Sequence, residues 1–213
     1  MKLPTLSLRT ALVLGAGLAL SACGSLLGGG GAPTTIYAPQ VQVQADAAWP
    51  RVDWSLAVAS PSAPRIIDST RIAVRPVAGE IEVYKGAAWA QSSSAMLQGA
   101  IVRTLEDSGR MANVAASDAG IRADYRLVTD IRRFEADYAG ASVPAATIEV
   151  SAKLVDGYSQ RVVASRVFAH AVPAAGTDIA QVADAFGAAL SQTTGEIAGW
   201  VLTSGRDLKP ERP

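Results

Sequence analysis

Two residues of this 213-residue chain have side chains suited to nucleophilic or metal chemistry, because the sequence contains one cysteine, Cys23, and one histidine, His170. Catalysis by a serine or a cysteine requires a base beside the nucleophile, and that base is usually a histidine. His170 lies at the end of a strand-like run, and a single histidine there is typical of a strand face. A zinc site would have to combine His170 with carboxylates, since no second histidine is present.

Carboxylates gather in one part of the chain, where they alternate with arginines. The acidic members are Asp124, Asp130, Glu135 and Asp137, and the basic members are Arg126, Arg132 and Arg133. Such mixing is typical of a solvated sheet face, whereas acid–base catalysis needs two carboxylates in different environments. The sequence therefore predicts no catalytic residue, no metal site and no cofactor.

Cys23 has a different explanation, which begins with the residues before it. Lys2 and Arg9 form a positive amino end, and the apolar run over residues 11–20 is too short to cross a membrane as a helix. The sequence LSAC, which ends at Cys23, resembles the lipobox of bacterial lipoproteins. In a lipobox the cysteine sulfur receives a diacylglyceryl group and a peptidase cuts just before it. We therefore expect a lipoprotein signal peptide over residues 1–22 and a lipid anchor at Cys23.

The residues that follow indicate a tether and a location. Residues 23–33 are rich in glycine, and we expect them to form a flexible link between the lipid anchor and the folded part. Gly24 follows the cysteine where an aspartate would favour inner-membrane retention, and by resemblance to lipoproteins of Gram-negative bacteria it favours the periplasmic face of the outer membrane. More than one acyl chain on Cys23 would give stable anchoring without a spanning helix.

The charge of the chain excludes a nucleic-acid partner. The sequence carries 19 basic and 19 acidic residues, and loss of Lys2 and Arg9 with the signal peptide leaves 17 against 19, a formal charge of −2. The basic residues are scattered among acids, whereas a protein that binds phosphate backbones carries a clustered basic surface.

The remaining sequence predicts one globular domain over residues 34–205, followed by a tail over residues 206–213. Segments with strand patterns surround two helical patterns. The predicted strands cover residues 35–37, 52–59, 71–76, 80–84, 113–116, 123–138, 147–155 and 161–171. Helices are predicted over residues 88–108 and from Thr177 onward, since apolar residues recur there at intervals of three and four.

Most of the predicted strands follow one another through short turns, which is typical of an antiparallel sheet. We therefore expect an α+β fold, with a mainly antiparallel sheet and two amphipathic helices packed on one of its faces. Glu149, Ser151 and Lys153 alternate with apolar residues and indicate that the other face is polar. Residues 34–63 fit two arrangements, since they can join the sheet or wrap outside it.

The order of several segments resembles that of a known family. They begin at about Ser69 and end at Trp200, and they read RIAVRP, EIEVYKGAAWA, MLQGAIVRTLEDSGR, ADYRLVTDIRRFEADY, AKLVDG, RVFAHAVP and AFGAAL. Together with the lipobox, they resemble the auxiliary lipoprotein component of ABC-type transport systems, the paraquat-inducible protein C-like family. The resemblance is spread over the domain and includes no catalytic motif.

This resemblance implies a role. Members of the family work beside an ATPase, a permease and a periplasmic MCE-domain protein that carry lipids between the inner and outer membranes. The resemblance therefore implies a non-enzymatic subunit, anchored in the outer membrane, that docks on this conduit, and a ring-shaped conduit would match a homo-oligomer. The alternative is a free-standing outer-membrane lipoprotein that binds a lipid or another envelope component.

Tyr84 and Trp89 are the candidate partner contacts. Aromatic residues are enriched at binding hot spots, and these two flank a predicted turn at Lys85 and Gly86 within one of the family segments. The alternative for Trp89 is structural, with its indole packing the first helix against the sheet. A Trp89→Ala protein that folds normally but loses its partner would favour the interface.

Overall fold

The computed structural model describes residues 33–117 and 122–206, which form one eight-stranded sheet and two helices. In chain order the elements are β1 (Thr35–Tyr37), β2 (Leu56–Val58), β3 (Arg71–Arg75), β4 (Glu82–Trp89), α1 (Ser93–Ser108), β5 (Val114–Ala116), β6 (Tyr125–Asp137), β7 (Ala145–Asp156), β8 (Val162–Pro173) and α2 (Ile179–Arg206). The predicted signal peptide, Cys23, nearly all of the tether and nearly all of the tail lie outside the described residues.

Strands β6, β7 and β8 form the predicted antiparallel meander. Their registers place Ile131 opposite Val150 and Val150 opposite Phe168. Because side chains alternate between the faces of a strand, every second residue of the three strands falls on one face. On β7 the apolar side chains of that face are all buried: Ala146, Ile148, Val150, Ala152 and Leu154. The alternation predicted for this segment is therefore confirmed.

The prediction of a mainly antiparallel sheet is wrong, because the sheet is mixed. β2 and β3 both pair in parallel with β6, at opposite ends of that long strand. β1 pairs in parallel with β4, and β2 pairs in parallel with β5. Strands β1, β2 and β5 have three residues each and pair with strands distant in sequence, so their hydrophobic pattern carries no sign of their direction. The α+β class itself is confirmed.

Both predicted helices are confirmed, and they pack side by side. α1 begins after Ser92, whose side chain accepts a hydrogen bond from the backbone N–H of Ala95, and it ends at Gly109, where φ is 60°. The predicted start at residue 88 is too early. α1 packs on β2 and β5, and α2 packs on β7 and β8. Neither helix has the combination of length and apolar character that spanning a membrane requires.

Residues 38–50, here called the strap, run along α2 outside the sheet. The carbonyl oxygen of Gln40 lies 3.1 Å from the point where a Cβ atom on Gly187 would stand. The indole nitrogen of Trp49 lies 2.6 Å from the corresponding point on Gly199. Glycine thus allows the strap to approach the helix closely. Residues 34–63 therefore combine the two arrangements that fit the sequence, since they add short strands to the sheet and also wrap outside it.

Candidate functional site

Trp89 lies in the core of the domain. It ends β4 and is 2% exposed. Its ring meets Phe134 and Phe186 edge-on, with centroids 6.3 and 5.0 Å apart, and the two phenyl rings stack at 5.0 Å. Since Phe134 belongs to β6 and Phe186 to α2, the indole packs a helix against the sheet. This position fits the structural alternative for Trp89, with α2 in place of α1, and leaves no exposed ring for a partner.

Tyr84 lies inside β4 and is half-buried. Burial of its hydroxyl, together with the neighbouring Tyr138, raises the pKa of Tyr84 above that of an ordinary tyrosine. The predicted turn at Lys85 and Gly86 is wrong, because both residues continue the strand, with Gly86 at φ 68°. A direct role of Tyr84 or Trp89 at an interface stays a prediction.

The prediction that the mixed carboxylates and arginines lie on a solvated sheet face is wrong for Glu135, which is 0% exposed. Its carboxylate accepts hydrogen bonds from Nε and Nη2 of Arg75, at 2.9 and 3.1 Å, and from Nε of Arg133, at 2.8 Å. The bond to Glu135 raises the pKa of Arg75. Arg133 also forms an ion pair with Asp137. We call these four residues the Glu135 cluster.

The Glu135 cluster joins two strands rather than forming an acid–base site. Arg75 belongs to β3 and the other members to β6, whose ladder with β3 has two register pairs. The ion pairs extend this short pairing, and each carboxylate of the cluster is matched by a guanidinium group. Arg133, Glu135 and Asp137 are spaced two residues apart on a strand, which places them on one face. This spacing is the sequence signal that identifies the cluster.

His170 lies on β8 and faces α2. Its Nε2 is 3.6 Å from Oε1 of Glu196, and Nη2 of Arg166 is 3.6 Å from Oε2 of the same carboxylate. In residues 33–117 and 122–206, histidine, cysteine, aspartate and glutamate side chains form no group of three or more with the spacing of metal ligands. His170 is thus a half-buried neighbour of a charged group formed by Arg166 and Glu196.

This charged group borders a groove of about 550 Å³ between the strap and β8, here called the α2 groove. Trp49 lines it from the strap, Trp200 from α2 and Arg166 from β8. The ring of Trp200 packs edge-on against Phe168, with centroids 5.7 Å apart, and the guanidinium carbon of Arg166 lies 4.9 Å from the centroid of the same phenyl ring. The groove thus combines aromatic walls with one cation and two carboxylates, which suits an amphipathic partner.

Strand β8 forms one border of the α2 groove and is itself an edge. In the described part of the chain it pairs with β7 alone. Large apolar side chains are exposed along it and just before it, at Tyr158, Val162 and Val167. We call the outer edge of β8 together with the α2 groove the β8 surface. The sequence predicted the strand, but the edge position depends on pairing and has no signal in the local pattern.

Comparison with known proteins identifies the family of this chain. A model of the family described as ABC-type transport auxiliary lipoprotein component matches residues 35–198. An uncharacterised protein of Bradyrhizobium diazoefficiens is 31% identical over 149 residues, which are 70% of this chain and 39% of that protein. The chain thus spans about two fifths of the length of this curated relative.

Solved structures agree with this match. A crystal structure of a Xanthomonas campestris protein is 57% identical, covers 81% of this chain and 97% of its own, and superposes with a TM-score of 0.79. A Chlamydia trachomatis protein shares the fold, with a TM-score of 0.52 at 10% identity, over 74% of this chain and 100% of its own. From the family match and the fold together, the chain belongs to the ABC-type transport auxiliary lipoprotein family.

Proposed function

We propose that this protein is a non-enzymatic lipoprotein subunit of an ABC/MCE-type system that carries lipids between membranes, anchored through Cys23 at the periplasmic face of the outer membrane. The observation that carries this proposal is the family match, which extends over almost the whole described domain. In this proposal the MCE-domain protein, the permease and the ATPase are the other components of the system, and this subunit docks on the periplasmic conduit.

The geometry of the domain supports docking rather than lipid storage. Three cavities border the strap, one of them beside α1 and two along α2, and polar side chains contribute to the lining of each. The apolar core between the helices and the sheet is filled by packed side chains such as Trp89, Phe134 and Phe186. A docking subunit needs an accessible surface, and the β8 surface provides one.

The test is affinity purification of the full-length protein from bacterial membranes, with identification of the proteins and lipids that accompany it. We expect an MCE-domain protein, a permease and an ATPase to co-purify. A Cys23→Ala protein, which lacks the acylation site, is the control and should leave the membrane fraction. Recovery of lipid alone, with no transport protein at any detergent strength, would favour the free-standing lipid-binding lipoprotein instead.

A further inference from the structure

The strap is seated on a row of small residues along α2. These residues recur at intervals of four, which places them on one face of the helix: Gly187, Ser191, Gly195 and Gly199. The hydroxyl oxygen of Ser191 accepts a hydrogen bond from the backbone N–H of Gln42 at 3.0 Å. Cγ1 of Val43 lies 3.2 Å from the point where a Cβ atom on Gly195 would stand. Together with the two close approaches described for the strap above, these contacts make the row a seat for an extended segment.

Little else holds the strap in place. In the described residues, its other hydrogen bonds to the rest of the domain come from Nη2 of Arg110, which donates to the carbonyl oxygens of Asp46 and Ala47 at 3.5 and 3.3 Å. The apolar side chains of its first half are half-buried rather than buried: Pro39, Val41 and Val43. Local opening costs least where backbone hydrogen bonds and buried apolar contacts are few. The strap can therefore leave α2 while the core stays folded.

Both ends of the strap are fixed to the sheet. Before the strap, the carbonyl oxygen of Tyr37 accepts a hydrogen bond from the N–H of Ala90 at 2.8 Å. After it, the N–H of Val52 donates to the carbonyl oxygen of Arg110 at 2.9 Å. The strap thus opens as a loop between two fixed points, and the strands on either side of it keep their places.

Opening of the strap would connect three cavities that it now separates. Their volumes are about 360, 290 and 550 Å³, the strap lines all three, and the largest of them is the α2 groove. Without the strap they would form one trough along α2 from Ala183 to Ser204, about 32 Å long at 1.5 Å per residue. The closed strap therefore covers part of the surface proposed for docking.

The seated strap shows which kind of segment this trough accepts. Residues 39–44 read PQVQVQ, and along them half-buried apolar side chains alternate with exposed glutamines. Charge selects neither an acidic nor a basic segment, because side chains of both signs border the trough: Asp184, Glu196, Arg103 and Arg166. A segment that takes the place of the strap must therefore be extended, with apolar side chains of about the size of valine at alternate positions.

We propose that the strap is an autoinhibitory lid. It opens while the sheet and both helices stay folded, and the open trough binds an extended segment of the docking partner, in which apolar side chains alternate with polar ones as they do in the strap. The inference rests on the docking function proposed above. It adds a regulatory step to docking, since the segment of the partner must replace the strap.

Thiol labelling of the full-length protein in detergent micelles tests whether the strap opens. Ala183→Cys places a thiol at a buried position of α2 beside the strap, and Ala198→Cys places one in the core on the same helix as the matched control. Cys23, the only native cysteine, carries the predicted lipid. We expect a maleimide to label Ala183→Cys about tenfold faster than Ala198→Cys, at a rate that urea below the unfolding transition does not change.

A disulfide that holds the strap closed tests the consequence of opening. The Cβ atoms of a disulfide lie about 3.5–4.5 Å apart, and Cγ1 of Val43 already lies 3.2 Å from the Cβ position of Gly195. With Val43→Cys and Gly195→Cys, oxidation should slow the labelling of Ala183→Cys about tenfold and lower the recovery of transport proteins by a similar factor. Reduction of the same sample should restore both, and an unchanged urea midpoint of the reduced protein shows that the core is folded.

A free peptide in place of the strap tests the kind of segment that the trough binds. Val41→Gln with Val43→Gln removes apolar contacts of the strap and should speed the labelling of Ala183→Cys. The probe is an acetylated, amidated peptide with the native sequence of residues 38–50, which should restore protection of the thiol. A matched peptide with glutamine at both valine positions should not protect it.

Several results would overturn the proposal. These are equal labelling of Ala183→Cys and Ala198→Cys, labelling that the disulfide does not slow, and a native peptide that protects no better than the glutamine peptide. Equal recovery of the transport proteins by the oxidised and reduced proteins would reject the lid and leave the docking function in place. Recovery by neither protein would reject the docking function, and the lid with it.

Discussion

Strands β4 and β8 differ in what lies beside their outer edges. β1 pairs with the end of β4, from Thr35 opposite Ala87 to Tyr37 opposite Trp89, and so covers the last three residues of that edge with a strand of the same chain. The outer edge of β8 faces no strand of the described residues. The domain thus shows one strand edge that is partly covered by an extended segment of its own and another, that of β8, to which no described strand is added.

This difference separates a strand that contributes to the stability of the domain, β4, from a strand that is accessible to a partner, β8. Beside β1, Trp89 is buried and contributes to the core. On the open strand, Val167 is 47% exposed, and aromatic side chains border a groove. Both strands are rich in small and apolar residues, so the neighbours of each strand determine what its side chains can contact.

The largest expected effect is on the free energy of unfolding and comes from a substitution in the buried part of β4. Trp89→Ala should lower the free energy of unfolding by about 3–5 kcal/mol, because it removes a buried indole and leaves a cavity against Phe134 and Phe186. Urea unfolding measures this loss, and Trp49→Ala on the half-buried strap is the control, with a smaller expected loss. If Trp89→Ala unfolds at the urea concentration of the wild type and still fails to bind its partner, Trp89 serves the interface.

A second prediction concerns the junction between the β3–β4 part of the sheet and the meander. Glu135→Gln removes the charge shared by Arg75 and Arg133, and breaking a fully buried ion pair costs about 3–5 kcal/mol. Both guanidinium groups keep part of their exposure, so we expect a loss of about 2 kcal/mol in the free energy of unfolding. Asp130→Asn, at an exposed position of the same strand, is the matched control. Equal losses in the two proteins would contradict a structural role of the Glu135 cluster.

A third prediction concerns the α2 groove beside β8. Trp200→Ala removes the edge-on contact with Phe168 and one wall of the α2 groove, and it should cost about 1 kcal/mol in the free energy of unfolding. Co-purification of the transport proteins should weaken at the same time. Urea unfolding and the affinity purification measure the two effects. A loss of stability as large as that of Trp89→Ala would place Trp200 with the core instead.

The smallest effect is a pH dependence on the β4 side. Burial keeps Tyr84 protonated in the folded state, whereas the unfolded chain loses this proton at about pH 10. Stability contributed by the protonated phenol is therefore complete below about pH 10 and decreases as the pH rises above it. The difference in urea midpoint between pH 9 and pH 11 should be smaller in Tyr84→Phe than in the wild type. Identical differences in the two proteins would show that Tyr84 is not buried as described.

Periodicity predicted the helices and the long strands because each of them buries one face. The alternation over residues 147–155 identifies β7, and the intervals of three and four identify α2. Strand direction was not predictable in the same way, since β1, β2 and β5 are too short to show a period and pair with strands distant in sequence. Trp89 illustrates the same limit, because its spacing fits a helical face while Ser92 caps the helix three residues later.

The candidate site was less predictable than the fold. The prediction for Tyr84 and Trp89 rests on residue type, and residue type does not determine burial. Glu135 and the edge of β8 depend on which strands lie beside them, and this information is distributed over the whole chain. Cys23 is the opposite case, since its predicted role as a lipid anchor rests on a local motif and needs no knowledge of the fold.

The most direct test of the docking assignment compares two valines of similar exposure, Val167 on β8 at 47% and Val77 in the β3–β4 turn at 50%. A photoreactive amino acid replaces one or the other in the full-length protein on bacterial membranes, and the crosslinked proteins are identified. We predict that the position of Val167 crosslinks to the MCE-domain subunit and that the position of Val77 does not. Crosslinking from the position of Val77 alone, from both positions equally or from neither would contradict the β8 surface as the docking site.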